Sequence, residues 1–116
     1  VLSYDSGIAQ INSKYLEEYR QHAINYCNLD KDAKLDPMNP DHGIRAGIGG
    51  LAYYRDYWKE KGITGEETLF YYSVNSYNMG AESYGKFVAS RGEVSRSYDR
   101  EILKWKELLE KEWELK

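Results

Sequence analysis

Asn39 to Gly62 reads NPDHGIRAGIGGLAYYRDYWKEKG, and the fold class turns on whether this stretch is one helix. Asn39 can accept from the free amides of a first helical turn, and Pro40 suits the first helical position. Gly62 is placed to terminate the helix after Lys61. Between these ends Ile44, Gly47, Ile48, Leu51, Ala52 and Trp58 recur at helical spacing and form the expected apolar line. Gly43, Gly47, Gly49 and Gly50 oppose this reading, since each costs roughly 1 kcal/mol relative to Ala inside a helix. A helix that keeps them either bends there or admits a neighbour close to its backbone.

Moving outward, the helical period continues on both sides. Upstream, Ser13 to Cys27 carries Tyr15, Leu16, Tyr19, Ala23, Tyr26 and Cys27 on one face, with Glu17, Glu18, Arg20 and Gln21 opposite. Asn28 to Pro40 breaks the pattern and reads as a surface loop. Downstream, Thr64 and Glu67 have the spacing of a capping box. The helix they open runs through Leu69, Phe70, Ser73, Val74 and Tyr77 to Gly80. It is apolar nearly all round, so a central position is expected. A short helix follows from Ala81 to Ser90, ended by Gly92. Ser97 to Lys116 then places Tyr98, Ile102, Trp105, Leu109 and Trp113 on one stripe. No alternating strand pattern of useful length is present. The expectation is a single all-α domain of about five helices spanning residues 1–116.

Composition narrows the partners. The chain has 116 residues, a formal net charge of -3 and interspersed acidic and basic side chains, which suggests neither a nucleic-acid groove nor a cationic membrane surface. No apolar run approaches the roughly 20 residues of a membrane span. The single cysteine, Cys27, forms no intrachain disulfide and is expected to be buried packing. Asp30, Asp32, Asp36 and Asp41 lack the glycine and glutamate of a calcium-binding helix-loop-helix, and His22 and His42 have no third ligand in register; no metal is expected. Twelve tyrosines and three tryptophans stand out in so polar a chain. Such rings serve as core or as platforms for sugars, and Tyr adds a hydroxyl.

Two short motifs carry chemistry. Ser3-Tyr4-Asp5-Ser6-Gly7-Ile8-Ala9-Gln10-Ile11-Asn12-Ser13 combines a carboxylate, a glycine that permits close backbone approach, and two amides able to bond sugar hydroxyls or N-acetyl groups. The blander alternative is that Asn12 or Ser13 caps the following helix. Tyr77-Asn78-Met79-Gly80-Ala81 ends the apolar helix, where Gly80 serves equally as an ordinary C-cap and Asn78 as a turn residue.

Taken in order, these segments resemble the lytic transglycosylases of the lysozyme superfamily. The Asp-x-Gly-x-x-Gln-Ile-Asn pattern of Asp5 to Asn12 resembles the segment lining their glycan cleft. Asn39 to Gly47 followed by Leu51-Ala52-Tyr53-Tyr54 resembles their central helix. Tyr77-Asn78-Met79-Gly80 resembles their Tyr-Asn-x-Gly turn, and Ser97-Tyr98-Asp99 with Ile102-Leu103 their last helix. The resemblance implies a lysozyme-like helical domain of the goose-type lysozyme and lytic transglycosylase kind. It implies action on peptidoglycan glycan strands in the periplasm or cell wall, without a cofactor. It assigns Tyr77 and Asp5 to the catalytic centre and Gln10, Asn12, Asn78 and Tyr98 to substrate binding, although Asp5 serves equally well as a loop cap. The cleft is expected between the Asp5 to Asn12 segment and the Tyr77 turn.

Glycoside cleavage needs a sheltered carboxylic acid. In the family this Glu lies well before the Gly-x-x-Gln motif, whereas only six residues precede Gly7. Glu82-Ser83 has the family's dipeptide in the wrong place, and Glu17 and Glu18 belong to a solvated face. The resemblance therefore implies an acid upstream of Val1. The rival readings are a non-catalytic peptidoglycan-binding module and a helical interaction protein using the Trp105 to Trp113 face of the last helix, whose outer turns contain Leu108, Trp113 and Leu115.

Overall fold

A computed structural model describes residues 5–6 and 10–114, with only the backbone described for residues 5, 6, 105, 106 and 109–114. The elements run β1 (Asp5–Ser6), β2 (Ile11–Asn12), a 3-10 turn (Ser13–Tyr15), α1 (Leu16–Cys27), α2 (Pro40–Glu60), α3 (Glu66–Met79), α4 (Ala81–Arg91) and α5 (Ser97–Glu114). Apart from the small antiparallel hairpin, which pairs Asp5 with Asn12 and Ser6 with Ile11, the fold is all-α. Among the described residues no helix is long and apolar enough to cross a membrane. The chain forms two compact units, Val1–Asp56 and Tyr57–Lys116, the division falling inside α2.

The first unit buries Ile11, Tyr19, Ala23, Leu29 and Ala46. Asn39 caps α2 as expected, its Oδ1 accepting from the amides of Asp41 and His42 at 3.0 and 3.3 Å. The seam of α2 is not the expected one. Ile44 and Ile48 are 49% and 55% exposed, whereas Gly43, Ala46, Gly49 and Gly50 are buried. The reason is steric. A β-carbon on Gly49 would stand 2.6 Å from the backbone oxygen of His22, so α1 meets α2 backbone to backbone, where no larger residue fits. This close approach accounts for glycine at position 49.

Around that contact, buried His22 stacks on Tyr53 with ring centroids 4.1 Å apart and meets the edge of Tyr19 at 5.5 Å. Arg45 Nη1 donates to the Cys27 carbonyl at 2.5 Å, satisfying one of the orphan acceptors at the end of α1. Cys27 itself is half-buried rather than enclosed. The loop after α1 is held by Arg20, whose Nε donates to the Ala33 carbonyl at 2.7 Å and whose Nη2 donates to that of Lys31.

In the second unit α3 contributes Leu69, Tyr72, Ser73, Val74, Asn75 and Ser76 to the interior, in keeping with its apolar sequence. Trp58 lies edge-on to Tyr72 at 4.8 Å and donates its indole N–H to Ser76 Oγ at 2.8 Å. Tyr84 of α4 is fully buried, 5.1 Å from Tyr72, and its hydroxyl donates to the Val94 carbonyl. Burial pushes that phenol up to about 12.

The capping box expected at Thr64 does not form. Gly65, at φ 90°, is the N-cap of α3, and the Leu69 amide donates to its carbonyl at 2.9 Å. Helix entry one residue later than expected puts Glu67 out of phase with the box. Its carboxylate instead accepts from the Tyr71 hydroxyl at 2.6 Å. Gly80, at φ 86°, is both the C-cap of α3 and the N-cap of α4, so a single residue joins the two helices.

Candidate functional site

Six residues were expected to touch glycan, three from each unit. In the first unit the hairpin sets Asp5 opposite Asn12. The side chain of Asp5, and all of Ser3, Tyr4, Gly7, Ile8 and Ala9, lie outside the described residues. Gln10 is exposed and takes a left-handed backbone conformation, φ 52°, uncommon for a residue with a β-carbon. Ile11 is 1% exposed and anchors the segment in the core. Asn12 is half-buried, and its Oδ1 accepts from the Lys14 amide at 3.0 Å. That is the capping role its sequence position also allowed.

In the second unit Tyr77 stands half-buried in the last turn of α3, followed by exposed Asn78. Tyr98, in the first turn of α5, is half-buried; burial raises its phenol above the usual range, opposed by the nearby Arg96 charge. A polar cluster that sequence reasoning missed links these two turns. Asp99 is fully buried, and its carboxylate accepts from Asn75 Nδ2 at 2.6 Å, Ser95 Oγ at 2.7 Å and the Arg96 amide at 2.6 Å. The last bond, from the N-cap residue of α5 to a side chain three positions on, is half of a capping box formed with Asp.

The Arg96 guanidinium completes the cluster. Its Nη1 donates to Asn75 Oδ1 at 3.2 Å and to Asn78 Oδ1 at 3.0 Å. The same group lies 5.8 Å from the centroid of the Phe87 ring. Every hydrogen bond in the chain Ser95, Asp99, Asn75, Arg96, Asn78 runs from a donor to an acceptor. Among the described residues no buried side-chain nitrogen or oxygen is left without a partner. The only sequence hint was Asp99, three residues beyond Arg96 and two beyond the start of α5.

Three of the described carboxylates have hydrogen-bond or ion-pair partners. Glu17 is exposed, and its pKa is lowered, first by a hydrogen bond from Gln21 and also by the Arg20 charge. Glu82 pairs with Lys86 at 3.3 Å on the surface of α4. Asp99 is occupied by three donors. None of these three resembles a sheltered acid poised to protonate a leaving group.

The loop aspartates serve their own turns. Asp30 Oδ1 accepts from the Asp32 amide at 2.8 Å, Asp36 Oδ1 from that of Met38 at 3.0 Å, and Asp41 pairs with Arg45 at 3.0 Å. Among the described residues no group of three or more His, Cys, Asp or Glu is placed to hold a metal ion. A groove of about 500 Å³ lies between α1 and this loop, lined by residues that include Leu16, Arg20, Lys31 and Leu35. Among the described side chains of the first unit, neither Gln10 nor Asn12 lines it. At the other end of the chain Leu108 of α5 is 54% exposed. The side chains of Trp105, Leu109 and Trp113, and all of Leu115, lie outside the described residues.

No family model, curated protein or solved structure matches the chain.

Proposed function

We propose that this chain is a lysozyme-like domain of the lytic transglycosylase kind that binds peptidoglycan glycan strands outside the cytoplasm. Its proposed sugar-contacting residues are Tyr77, Asn78 and Tyr98 in the second unit and, separately, Gln10 and Asn12 in the first, where Asp5 is the proposed carboxylate. Binding is the activity assigned to residues 1–116. Cleavage of the bond between N-acetylmuramic acid and N-acetylglucosamine needs, in addition, the acid that the resemblance puts before Gly7.

The observation that carries this reading is the turn at Tyr77 to Gly80. A tyrosine half-sunk in an apolar helix end, beside an exposed amide fixed by a guanidinium, combines a ring for the apolar face of a sugar with polar groups for its substituents. The ordered spacing of the Gln10, Asn39, Tyr77 and Tyr98 segments adds support.

Titration of the folded chain with a muropeptide oligomer tests the proposal. Tyr77→Phe is expected to leave folding intact and to weaken binding about fivefold, near 1 kcal/mol, through one lost hydrogen bond. Gln10→Ala weakens it as well. Equal affinity for wild type and both variants would show that the glycan is held elsewhere or not at all.

A further inference from the structure

A guanidinium has five N–H donors and no acceptor, and this fixes more than contact. The two ends of an asparagine amide are chemically opposite, and which end faces a neighbour is decided by what that neighbour offers. Arg96 offers only donors, so the amides it touches must turn their oxygens to it. Asn75 obeys on both sides: its Oδ1 takes Arg96 Nη1 at 3.2 Å while its Nδ2 donates to Asp99 Oδ2 at 2.6 Å and to the Tyr71 carbonyl at 2.8 Å. The Asp99 carboxylate, an acceptor only, would refuse the flipped amide as firmly as Arg96 does.

Asn78 receives the same instruction with a different result. Its Oδ1 accepts from Arg96 Nη1 at 3.0 Å, so its Nδ2 is turned away from the guanidinium. Asn75 is fully buried, whereas Asn78 is exposed. Of the two amides oriented by Arg96, one closes the interior network and the other presents an –NH₂ group at the surface, beside Tyr77. The guanidinium is itself held over the Phe87 ring at 5.8 Å, and its own backbone amide is bonded to Asp99. The orientation is therefore inherited from the core.

We propose that Arg96 is a positioning residue that locks Asn78 as a hydrogen-bond donor, so that this site selects a carbonyl acceptor on its ligand. Resting on the glycan reading above, that acceptor is the carbonyl oxygen of an N-acetyl group on the bound sugar. A sugar hydroxyl would bond either end of an amide, whereas a carbonyl bonds only Nδ2. Locking the amide removes the wrong orientation before binding and with it the cost of ordering the side chain.

The test is a double-mutant cycle read by titration with the tetramer of β-1,4-linked N-acetylglucosamine. Asn78→Ala and Arg96→Met are each expected to weaken binding about tenfold, and the double variant no further, because the arginine acts through the asparagine. Asn78→Asp keeps a partner for Arg96 and loses the donor, so it should bind as weakly as Asn78→Ala. Arg96→Lys, which retains a donor, should recover most of the affinity. The side-chain –NH₂ resonances of Asn78 should shift on ligand addition in wild type and in Arg96→Lys.

Wild-type affinity in Arg96→Met or in Asn78→Asp, or fully additive losses in the double variant, would overturn the inference while leaving glycan binding in place. No binding of the tetramer by the wild-type chain would overturn both.

Discussion

The joint between α1 and α2 in the first unit and the joint between α3 and α5 in the second solve one problem in opposite ways. Both bring two helices together around a buried centre. The first does so by subtraction: Gly49 has no side chain, and the His22 carbonyl occupies the space where a β-carbon would stand. The second does so by addition, filling the gap with Asn75 and Asp99 and satisfying each polar atom. A joint set by close backbone contact is broken by one extra atom. A joint made of hydrogen bonds tolerates changes of volume better than it tolerates an orphaned donor.

The sharpest way to break the comparison is at Asp99. Asp99→Ala removes the acceptor of the Ser95 hydroxyl, of the Arg96 amide and of one of the two Asn75 Nδ2 hydrogens, the other remaining on the Tyr71 carbonyl, and should cost about 4 kcal/mol, since bonds to charged groups are worth more and orphaned buried donors are penalised. Urea unfolding gives the value. Hydrogen exchange should show the loss of protection in α3 and α5. A cost near that of an ordinary surface substitution would mean that the buried carboxylate is not holding the two helices.

Gly49→Ala comes next, at about 3 kcal/mol, the upper part of the range for overpacking because the obstruction is backbone and cannot rotate away. The effect should fall on α1 and α2. A neutral Gly49→Ala would show that the two helices separate more easily than a 2.6 Å clash allows.

The smallest effect is a pH dependence at His22. Burial lowers its pKa below the usual histidine value, opposed by the Glu18 charge. The folded state therefore resists protonation that the unfolded chain accepts. This contribution to stability is complete above the ordinary histidine pKa of about 6.5 and is lost as pH falls from there toward the lower folded value. Urea midpoints should drop between pH 7.5 and 5.5, and His22→Gln should flatten the drop. An unchanged slope in that variant would move the effect to another group.

How far these features were readable in advance follows from the range of the interactions. Asn39 and Pro40 at the start of α2, and Gly80 and Gly92 at later helix ends, act within one turn of themselves, and the ends fall where the residues say. The seam of α2 does not, because periodicity weighs hydrophobicity, and on that scale Ile44 and Ile48 outrank Gly49. The joint was selected for smallness, which shows in sequence only as glycines that ought not to be in a helix. Thr64 and Glu67 failed for a related reason: Gly65 shifted the helix start by one residue, and spacing alone does not reveal phase. The Asn75, Arg96 and Asp99 cluster was least legible. Its members lie 21 and 24 residues apart, and a polar residue on a helix gives no sign of a distant partner. At the candidate site the same limit separates Asn78, visible as a turn residue, from the arginine that orients it.

Gly80 has a consequence in chain entropy. Because one residue joins α3 to α4, the contact between Tyr72 and Tyr84 closes across very little flexible chain. The bond from Asn75 to Asp99 spans 24 residues and encloses both the Gly80 joint and the segment after Gly92. Loop-closure cost grows by only about 0.6 kcal/mol for each doubling of loop length, but it is incurred before any contact across the loop forms. The aromatic pair is thus the cheaper half of the second unit to assemble, and α5, with its Asp99, is the element that docks at the greater loss of freedom.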